Sequence, residues 1–301
     1  MGELRGDRKD SKELDDDFGL YSVILPEEPF VFGVSHIKPR DVASHIIRPH
    51  YALPGSLKQD IRKIDVEDAD GRIPLGSEAE RKLRSAASLA KDVREYAGTL
   101  VKVGTTTNAI DAAVHDFIIS HGAYPSPLLY QRVSKGELIT FINNVITHGI
   151  PDDRPLQDGD IINIDVTVYL NGYHGDTSQT WLVGNVDFEG RVLCDITNKA
   201  LEAGIEACGP GKPFKNIGRA INDLVTPKYH GMDFCISPAF TGHGIGSVFH
   251  RKPWPAIIQG THPTSWIFPD GWTASTEDCA RSAQAEHMVL ITENGAEVLT
   301  R

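Results

Sequence analysis

Residues 160–177 read DIINIDVTVYLNGYHGDT, and this stretch decides the fold. In 160–170 polar and apolar residues alternate and β-branched side chains are frequent, which is typical of a β-strand. Asn171-Gly172 favours a two-residue hairpin turn because both residues tolerate positive φ. Residues 173–183 are the expected return strand. The stretch therefore predicts an antiparallel hairpin.

Two carboxylates lie on opposite arms of this predicted hairpin. A turn at Asn171-Gly172 places Asp165 almost opposite Asp176, so we expect both side chains on one face. Asp165 stands between Ile164 and Val166, and burying a single carboxylate among apolar residues is unfavourable. A divalent cation relieves that penalty and the repulsion between two acids. The alternative is that Asp165 pairs with an arginine or caps a turn, and the hairpin alone leaves both open.

Four further residues are candidates for a functional site, although each is weak support when taken alone. His243 lies in the glycine-dense loop TGHGIG at 241–246, where glycines let the backbone approach a ligand closely. His250 follows it, His148 lies in the segment NNVITHGIPD, and Glu286 precedes an apolar strand. Each of them has an ordinary alternative as a hydrogen-bonded loop residue or a surface charge.

Taken together, these residues favour a metal site. Carboxylates with one imidazole are a ligand set that suits Mn, Fe or Co, and sometimes Zn. Two ions bridged by carboxylates can activate a shared water and polarise a carbonyl group. The candidate set is Asp165, Asp176, His243 and Glu286, with His148 and His250 beside them.

Apolar spacing and capping residues predict four helices, two before the hairpin and two after it. A second hairpin follows them. This order of helix pair and hairpin, occurring twice, predicts an α+β domain built from two similar halves. The helices are expected to begin at Ser77 with Glu80 as a capping box and at Thr107 as a cap, and then to span 194–208 and 214–225, with the second hairpin at 288–299.

Length and composition exclude several classes of protein. The 301 residues allow one large domain or two small ones, and 40% of them are hydrophobic, as in ordinary globular proteins. The net charge of -11 disfavours a nucleic-acid binder, which would need a basic surface. No apolar run reaches the roughly 18 residues of a membrane span. The four cysteines lie far apart, so neither a disulfide scaffold nor a cysteine zinc site is expected, and a reducing compartment is favoured.

The first 70 residues have the composition of an extension in front of a main domain at 71–301. Residues 1–19 are polar and are expected to be disordered. Residues 21–55 are rich in Pro and His, with short apolar runs at Val31-Phe32 and Ile46-Ile47, and are expected to lie as an extended arm on the main domain. The acidic start resembles neither a signal peptide nor a presequence, which predicts a cytoplasmic protein.

Six motifs together resemble those of the type I methionine aminopeptidases, specifically the organellar-like branch that lacks an N-terminal zinc-finger region. The resemblance covers most of residues 75–301. It implies the pita-bread fold, in which two pseudo-symmetric α/β halves surround a central dinuclear metal site. It also implies removal of the initiator methionine from polypeptides whose next residue is small. The motifs are YPSP at 124–127, NNVITHGIPD at 143–152, LQDGDIINID at 156–165, HGDT at 174–177, GHGIG at 242–246 and SAQAEH at 282–287.

The resemblance also implies a role for each candidate residue. Two divalent metal ions, of Co, Mn, Fe or Zn, are the implied cofactors. His148 and His250 are implied to contact the substrate and to stabilise the transition state. The implied ligands are Asp165 on one ion, His243 on the other, and Asp176 and Glu286 bridging both.

Two departures from the family pattern bear on activity. The family has a fifth ligand, a glutamate followed by a proline, which also shuttles protons. Here Trp254 runs directly into Pro255, and no acidic residue lies between Asp233 and Asp270. The stretch 130–142 does not match the Phe-Pro-Lys-Ser-like segment that shapes the methionine pocket in the family. We therefore expect impaired activity.

Two other functions stay open on the sequence. One is a catalytically inactive pita-bread protein that acts as a binding module. The other is a prolidase-like or aminopeptidase P-like peptidase on the same fold. Retention of the candidate ligands favours a metalloenzyme over the first, and the His148 segment argues against the second.

The expected partners and compartment follow from the resemblance and from the charge. Nascent polypeptide N-termini are the implied substrates, and the ribosome is a candidate partner. No direct contact with nucleic acid or membrane is expected. A monomer is expected because the family is commonly monomeric. The organellar-like branch leaves a mitochondrial location open beside the cytoplasmic one.

Overall fold

The computed structural model describes residues 20–26, 40–53, 72–130, 139–240, 242–253 and 256–301. The helices in these ranges form two pairs, one before and one after the central hairpin, as predicted. They are α1 (Glu78–Leu100), α2 (Thr107–Ser120), α3 (Phe188–Glu206) and α4 (Lys215–Val225), and a short 3-10 turn spans His50–Ala52.

The strands of the described ranges are short, except for the two arms of the central hairpin. They are β1 (Tyr124–Pro125), β2 (Ile139–Ile142), β3 (Val145–Thr147), β4 (Ile161–Leu170), β5 (Tyr173–Leu182), β6 (Phe234–Ser237), β7 (His243–Gly244), β8 (Arg251–Pro253), β9 (Ala256–Gln259), β10 (Ser265–Ile267), β11 (Ala274–Thr276), β12 (Ser282–Ala283), β13 (Val289–Thr292) and β14 (Gly295–Val298).

The N-termini of α1 and α2 are set by capping side chains. The hydroxyl of Ser77 accepts a hydrogen bond from the Glu80 amide at 3.2 Å, which confirms the predicted start of α1. The expected cap of α2 is wrong by one residue. Thr106 is the cap and accepts from the Ala109 amide at 3.1 Å. Thr107 is instead the first helical residue, and its hydroxyl donates to the Asp152 carbonyl.

The third helix begins earlier than predicted, at Phe188 rather than at 194. The reason is a cap that the spacing of apolar residues does not reveal. The Asp187 carboxylate accepts from the Gly190 amide at 2.8 Å, and this bond stabilises the first turn in spite of the glycine. The fourth helix, Lys215–Val225, agrees with its prediction.

The central hairpin is confirmed. Strands β4 and β5 pair antiparallel over their full length, and Asn171 and Gly172 form the turn with φ values of 54° and 93°. Strand β4 also pairs with β1 and β2 on its other edge. Helix α1 crosses β5 so closely that a Cβ on Gly175 would lie 2.1 Å from the Ala86 carbonyl oxygen. The hairpin is therefore fixed on one face by α1.

The second half of the chain forms a smaller sheet and a second hairpin. Strand β9 lies between β6 and β12, and both pairings are antiparallel. Strands β13 and β14 form the predicted second hairpin, with Glu293-Asn294 as its two-residue loop. A hydrophobic cluster centred on α1, α2 and β4 and another centred on α3 and β6 make up most of the buried core.

The described parts of the 21–55 segment contact the main domain. The Tyr21 hydroxyl donates to the Cys279 carbonyl, and Ile24 exchanges backbone hydrogen bonds of 2.7 and 2.9 Å with the Asn144 amide side chain. Val42 and Ile46 pack in one buried cluster with residues of the main domain. The predictions for residues 1–19 and for Val31-Phe32 lie outside the described residues.

No α-helix in the described ranges combines the length and the apolar composition that crossing a bilayer requires. All four cysteines are free.

Candidate metal centre

Three carboxylates converge at the face of the central hairpin that α1 leaves open. Asp165, Asp176 and Glu286 each offer an oxygen, and these oxygens lie within 4.8 Å of one another. Within the described ranges, they are the one group of three or more His, Cys, Asp or Glu residues whose ligand atoms approach so closely. The sequence predicted all three as candidates.

The register of the hairpin explains two of these positions. Asp165 pairs with Ser178 and Thr167 pairs with Asp176, so the two aspartates are diagonal neighbours. Because side chains alternate along a strand, residues two apart share a face. The two aspartates therefore lie on one face, as expected from the position of the turn.

Glu286 reaches the hairpin through an isolated backbone bridge to Ser178. The Glu286 amide donates to the Ser178 carbonyl at 3.0 Å, and the Ser178 amide donates to the Glu286 carbonyl at 3.3 Å. The Thr177 hydroxyl also donates to the Glu286 carbonyl, at 2.8 Å. These bonds fix the backbone of Glu286 beside the strand that carries Asp176.

Hydrogen bonds orient two of the three carboxylates. The Thr167 hydroxyl donates to Oδ1 of Asp176 at 2.9 Å, and the side-chain amide of Gln284 donates to Oε1 of Glu286 at 2.5 Å. Oδ1 of Asp165 is buried and has no hydrogen-bond partner among the described residues. A buried carboxylate oxygen without a partner is costly unless a cation is bound, so this donor set fits a divalent metal ion.

The electrostatics of the cluster lead to the same conclusion. Burial raises the pKa of Asp165 well above its usual range, and the negative charges of Glu286 and Asp176 raise it further. Burial likewise raises the pKa of Asp176 to about 6. Burial and the charge of Asp176 raise the pKa of Glu286 to about 7. Three carboxylates that resist ionising side by side are a favourable environment for a divalent cation.

His243 lies at the edge of this cluster. Its Nε2 atom is 3.5 Å from Oδ2 of Asp176, and its Nδ1 atom is 3.2 Å from the Gly244 carbonyl oxygen. Strand β7, which carries it, pairs with β8 across a register shift. The geometry places an imidazole nitrogen of His243 beside Asp176, within reach of the carboxylate trio.

His250 stands next to His243, with 4.2 Å between the ring centroids. It is flanked by Phe249 at 4.1 Å and by Tyr130 at 5.0 Å. Desolvation, and then the neighbouring His243 and His148, lower the pKa of His250. The imidazoles of His243 and His148 are therefore close enough to His250 to affect its protonation.

His148 follows strand β3 and has a positive φ of 60°. Its ring stacks on Trp272 with 4.3 Å between centroids and meets Phe240 edge-on at 5.9 Å. Burial lowers the pKa of His148 to about 4, so its imidazole is neutral at neutral pH. A neutral imidazole can donate a hydrogen bond from one nitrogen.

Sequence reasoning missed several residues of the site. Thr167 and Gln284 bond to the carboxylates, and each lies two residues from a predicted ligand in the chain. For Thr167, the alternation of side chains along the strand would have revealed the shared face. Trp272 and Tyr130 come from distant segments, and no local signal marks them.

Trp254 and Pro255, where the sequence predicts the missing fifth ligand, lie outside the described residues. Strand β9 begins at Ala256 and pairs with β12 at Ala283, three residues before Glu286. The segment that departs from the family pattern is therefore continuous with a strand beside the candidate site.

Comparison with known proteins identifies the relatives of this chain. Residues 81–293 match Metallopeptidase family M24. Methionine aminopeptidase 1D, chloroplastic/mitochondrial, from Arabidopsis thaliana is 45% identical, and the alignment covers 87% of this chain and 77% of the relative. Methionine aminopeptidase 1D, mitochondrial, from Homo sapiens is 43% identical, with 93% and 84% covered.

Solved structures confirm the predicted pita-bread fold. The methionine aminopeptidase from Rickettsia prowazekii superposes with a TM-score of 0.71 at 37% identity, covering 76% of this chain and 100% of that one. Prolidase from Pyrococcus furiosus, at 21% identity and a TM-score of 0.57, shares the fold alone. The carboxylate trio beside His243 and the named relatives both indicate a metallopeptidase. The chain therefore belongs to metallopeptidase family M24 and, within it, to the methionine aminopeptidases.

Proposed function

We propose that this chain is a metal-dependent aminopeptidase that removes the initiator methionine from nascent polypeptides whose next residue is small. The observation that carries the proposal is the convergence of Asp165, Asp176 and Glu286 within 4.8 Å, beside His243. A protein that only bound a partner would have no need of three buried acids that destabilise one another.

Four side chains of this chain would hold the metal ions. Asp165 would bind one ion, His243 the other, and Asp176 and Glu286 would lie between them. When bound, divalent ions supply Lewis-acid polarisation of the scissile carbonyl and activation of a water nucleophile. Thr167 and Gln284 keep the two bridging carboxylates oriented before any ion arrives.

The substrate side of the site would be formed by imidazoles and aromatic rings. His148 is neutral and can donate a hydrogen bond to a peptide carbonyl, which supports its role beside the scissile bond. Tyr130 and Phe249 pack against His250, and Trp272 stacks on His148. Aromatic rings make favourable contacts with the sulfur of a methionine side chain, which supports methionine as the residue removed.

The two metal ions are proposed to bind with unequal affinity. The Asp165 side has three carboxylate ligands, whereas the His243 side lacks the glutamate that the family places before the proline. We expect one tightly bound ion and one weakly bound ion of Co, Mn, Fe or Zn. Loss of the proton shuttle reduces the rate, and removal of a general base commonly lowers rates by about 10²- to 10⁴-fold.

The names of the relatives favour a mitochondrial location over the cytoplasmic one predicted from the acidic N-terminus. The protein is further proposed to be a monomer that acts on nascent chains, with the ribosome as a candidate partner. The division into an extension at 1–70 and a catalytic domain at 71–301 is proposed on the sequence alone.

The direct test is methionine release from the peptide Met-Ala-Ser by purified protein with added Mn²⁺ or Co²⁺. A chelated sample and the variant Asp176→Asn are the controls. Release that depends on metal and is lost in the variant is the expected result. The dipeptide Ala-Pro tests the prolidase-like alternative. Folded protein that binds metal but releases nothing from either substrate would establish the inactive binding module instead.

A further inference from the structure

The segment 40–53 lies far before α1 in the chain, yet it is anchored next to the candidate site. Val42, Ile46 and Ala52 are buried against Tyr124 and Leu128 of the main domain. The same segment carries the ring of Tyr51 into contact with Tyr130 and His174, which lie near the metal centre.

Tyr51 is held by a hydrogen bond and by two ring contacts. Its hydroxyl donates to the Ser126 carbonyl oxygen at 2.6 Å. The Ser126 hydroxyl in turn lies 2.8 Å from Nδ1 of His174, which is fully buried. The Tyr51 ring meets Tyr130 edge-on at 5.0 Å and lies nearly parallel to His174 at 6.4 Å.

Two chains of ring contacts lead from Tyr51 to His250. The first runs through Tyr130, whose ring lies 5.0 Å from that of His250. The second runs through His174, which stacks on Phe249 at 5.0 Å with 15° between the planes, and Phe249 lies 4.1 Å from His250. Close-packed rings have few alternative positions, so each one restricts the next.

We propose that Tyr51 is a positioning residue of the active site, which fixes Tyr130 and His174 and through them the orientation of His250. The segment before the main domain thus contributes to the substrate side of the site. This inference rests on the proposed function for its kinetic consequence, but the positional relationship stands on the ring contacts themselves.

A purely structural role predicts a different outcome, and a matched control separates the two. Tyr51→Leu removes the ring but keeps an apolar side chain in the same cluster. Val42→Ala weakens that cluster, to which neither Tyr130 nor His174 belongs. Tyr51→Phe keeps the ring and removes the hydrogen bond to Ser126. The three variants therefore separate the effect of the Tyr51 ring, that of its hydroxyl and that of the hydrophobic cluster that holds the segment.

The first measurement does not depend on activity. Proteins labelled with ¹⁵N and ¹³C in histidine are compared by NMR of the imidazole rings, without metal. We expect Tyr51→Leu to shift the resonances of His174 and His250, and Val42→Ala to leave both in place. Tyr51→Phe is expected to shift His174 alone, and this variant serves if Tyr51→Leu fails to fold.

The second measurement is the kinetics of methionine release from Met-Ala-Ser with Mn²⁺. We expect Tyr51→Leu to lower kcat/KM by about 10- to 100-fold, as misplacement of a site residue does, with most of the loss in kcat. The kcat/KM of Val42→Ala is expected to stay within twofold of wild type, even if its unfolding temperature falls as much as that of Tyr51→Leu. Unmoved His250 resonances in Tyr51→Leu, unmoved His174 resonances in Tyr51→Phe, or equal kinetic losses in Tyr51→Leu and Val42→Ala would each overturn the proposal. A wild-type protein without activity would refute the proposed function, and the NMR comparison would still decide the role of Tyr51.

Discussion

The hydroxyl of Thr167 lies 2.9 Å from Oδ1 of Asp176 and donates a hydrogen bond to it across the central hairpin. The two residues occupy paired register positions on β4 and β5. Asp176 therefore has one oxygen held by Thr167, while its other oxygen faces His243 at 3.5 Å. A residue that orients a metal ligand in this way contributes to affinity without touching the ion.

The first prediction concerns this hydrogen bond. Thr167→Val keeps the shape of the side chain but removes the donor, and we expect Mn²⁺ affinity to fall by about 10- to 100-fold. Thr167→Ser keeps the hydroxyl and should bind nearly as wild type does. Titration calorimetry of the metal-free proteins measures both. Equal affinities for Thr167→Val and wild type would show that the bond does not orient Asp176.

The second prediction concerns the number of ions. We expect calorimetry to resolve one tight and one weak Mn²⁺ site, because the family's fifth ligand has no acidic counterpart between Asp233 and Asp270. Trp254→Glu should strengthen the weak site and raise the rate of methionine release, whereas Trp254→Gln, which has no charge, should do neither. Two equally tight ions in the wild-type protein would contradict the expectation.

The third prediction concerns pH. Burial raises the pKa of Asp176 to about 6 and that of Glu286 to about 7, whereas both groups titrate near 4 in an unfolded chain. The folded metal-free protein therefore binds more protons than the unfolded chain in this interval. The stability that comes from these protonated acids is complete below pH 4 and is lost as pH rises through 6 and 7.

Urea unfolding with a chelator present measures this loss. Between pH 4 and pH 7.5 the metal-free wild type should lose stability relative to Asp176→Asn, by on the order of 3 kcal/mol at about 1.4 kcal/mol per pKa unit. Added Mn²⁺ should stabilise the wild type at pH 7.5 and leave the variant nearly unchanged. A difference in unfolding free energy between the two proteins that does not vary with pH would show that the pKa values of these acids are not raised in the folded protein.

The fourth prediction concerns the packing of α1 on the hairpin. A Cβ at Gly175 would lie 2.1 Å from the Ala86 carbonyl oxygen, so Gly175→Ala must displace α1 or β5. We expect it to lower the free energy of unfolding by about 1–3 kcal/mol. Gly218 in α4 has no atom within 4 Å of the same added carbon, so Gly218→Ala is the matched control. That control should be neutral or stabilising by up to about 1 kcal/mol. Similar losses in both variants would contradict the close packing at Gly175.

The local parts of the structure could be predicted from the sequence. The alternation in 160–170 and the Asn171-Gly172 turn determined the hairpin and put Asp165 and Asp176 on one face, since strand periodicity and turn geometry depend on neighbouring residues. Ser77 determined the start of α1 for the same reason. The start of α3 was missed because the Asp187 cap acts before the apolar pattern begins.

The tertiary structure decided the placement of three further residues, Glu286, His243 and Tyr51. Glu286 joins the aspartates through a bridge to Ser178, more than a hundred residues away, and the spacing of residues along the chain does not encode such a pairing. Tyr51 reaches His174 because its segment is buried against Tyr124. The sequence alone determined which side chains could bind metal and which two share a strand face. Only the long-range packing of both halves brought the third carboxylate, the imidazoles and the aromatic rings to that face.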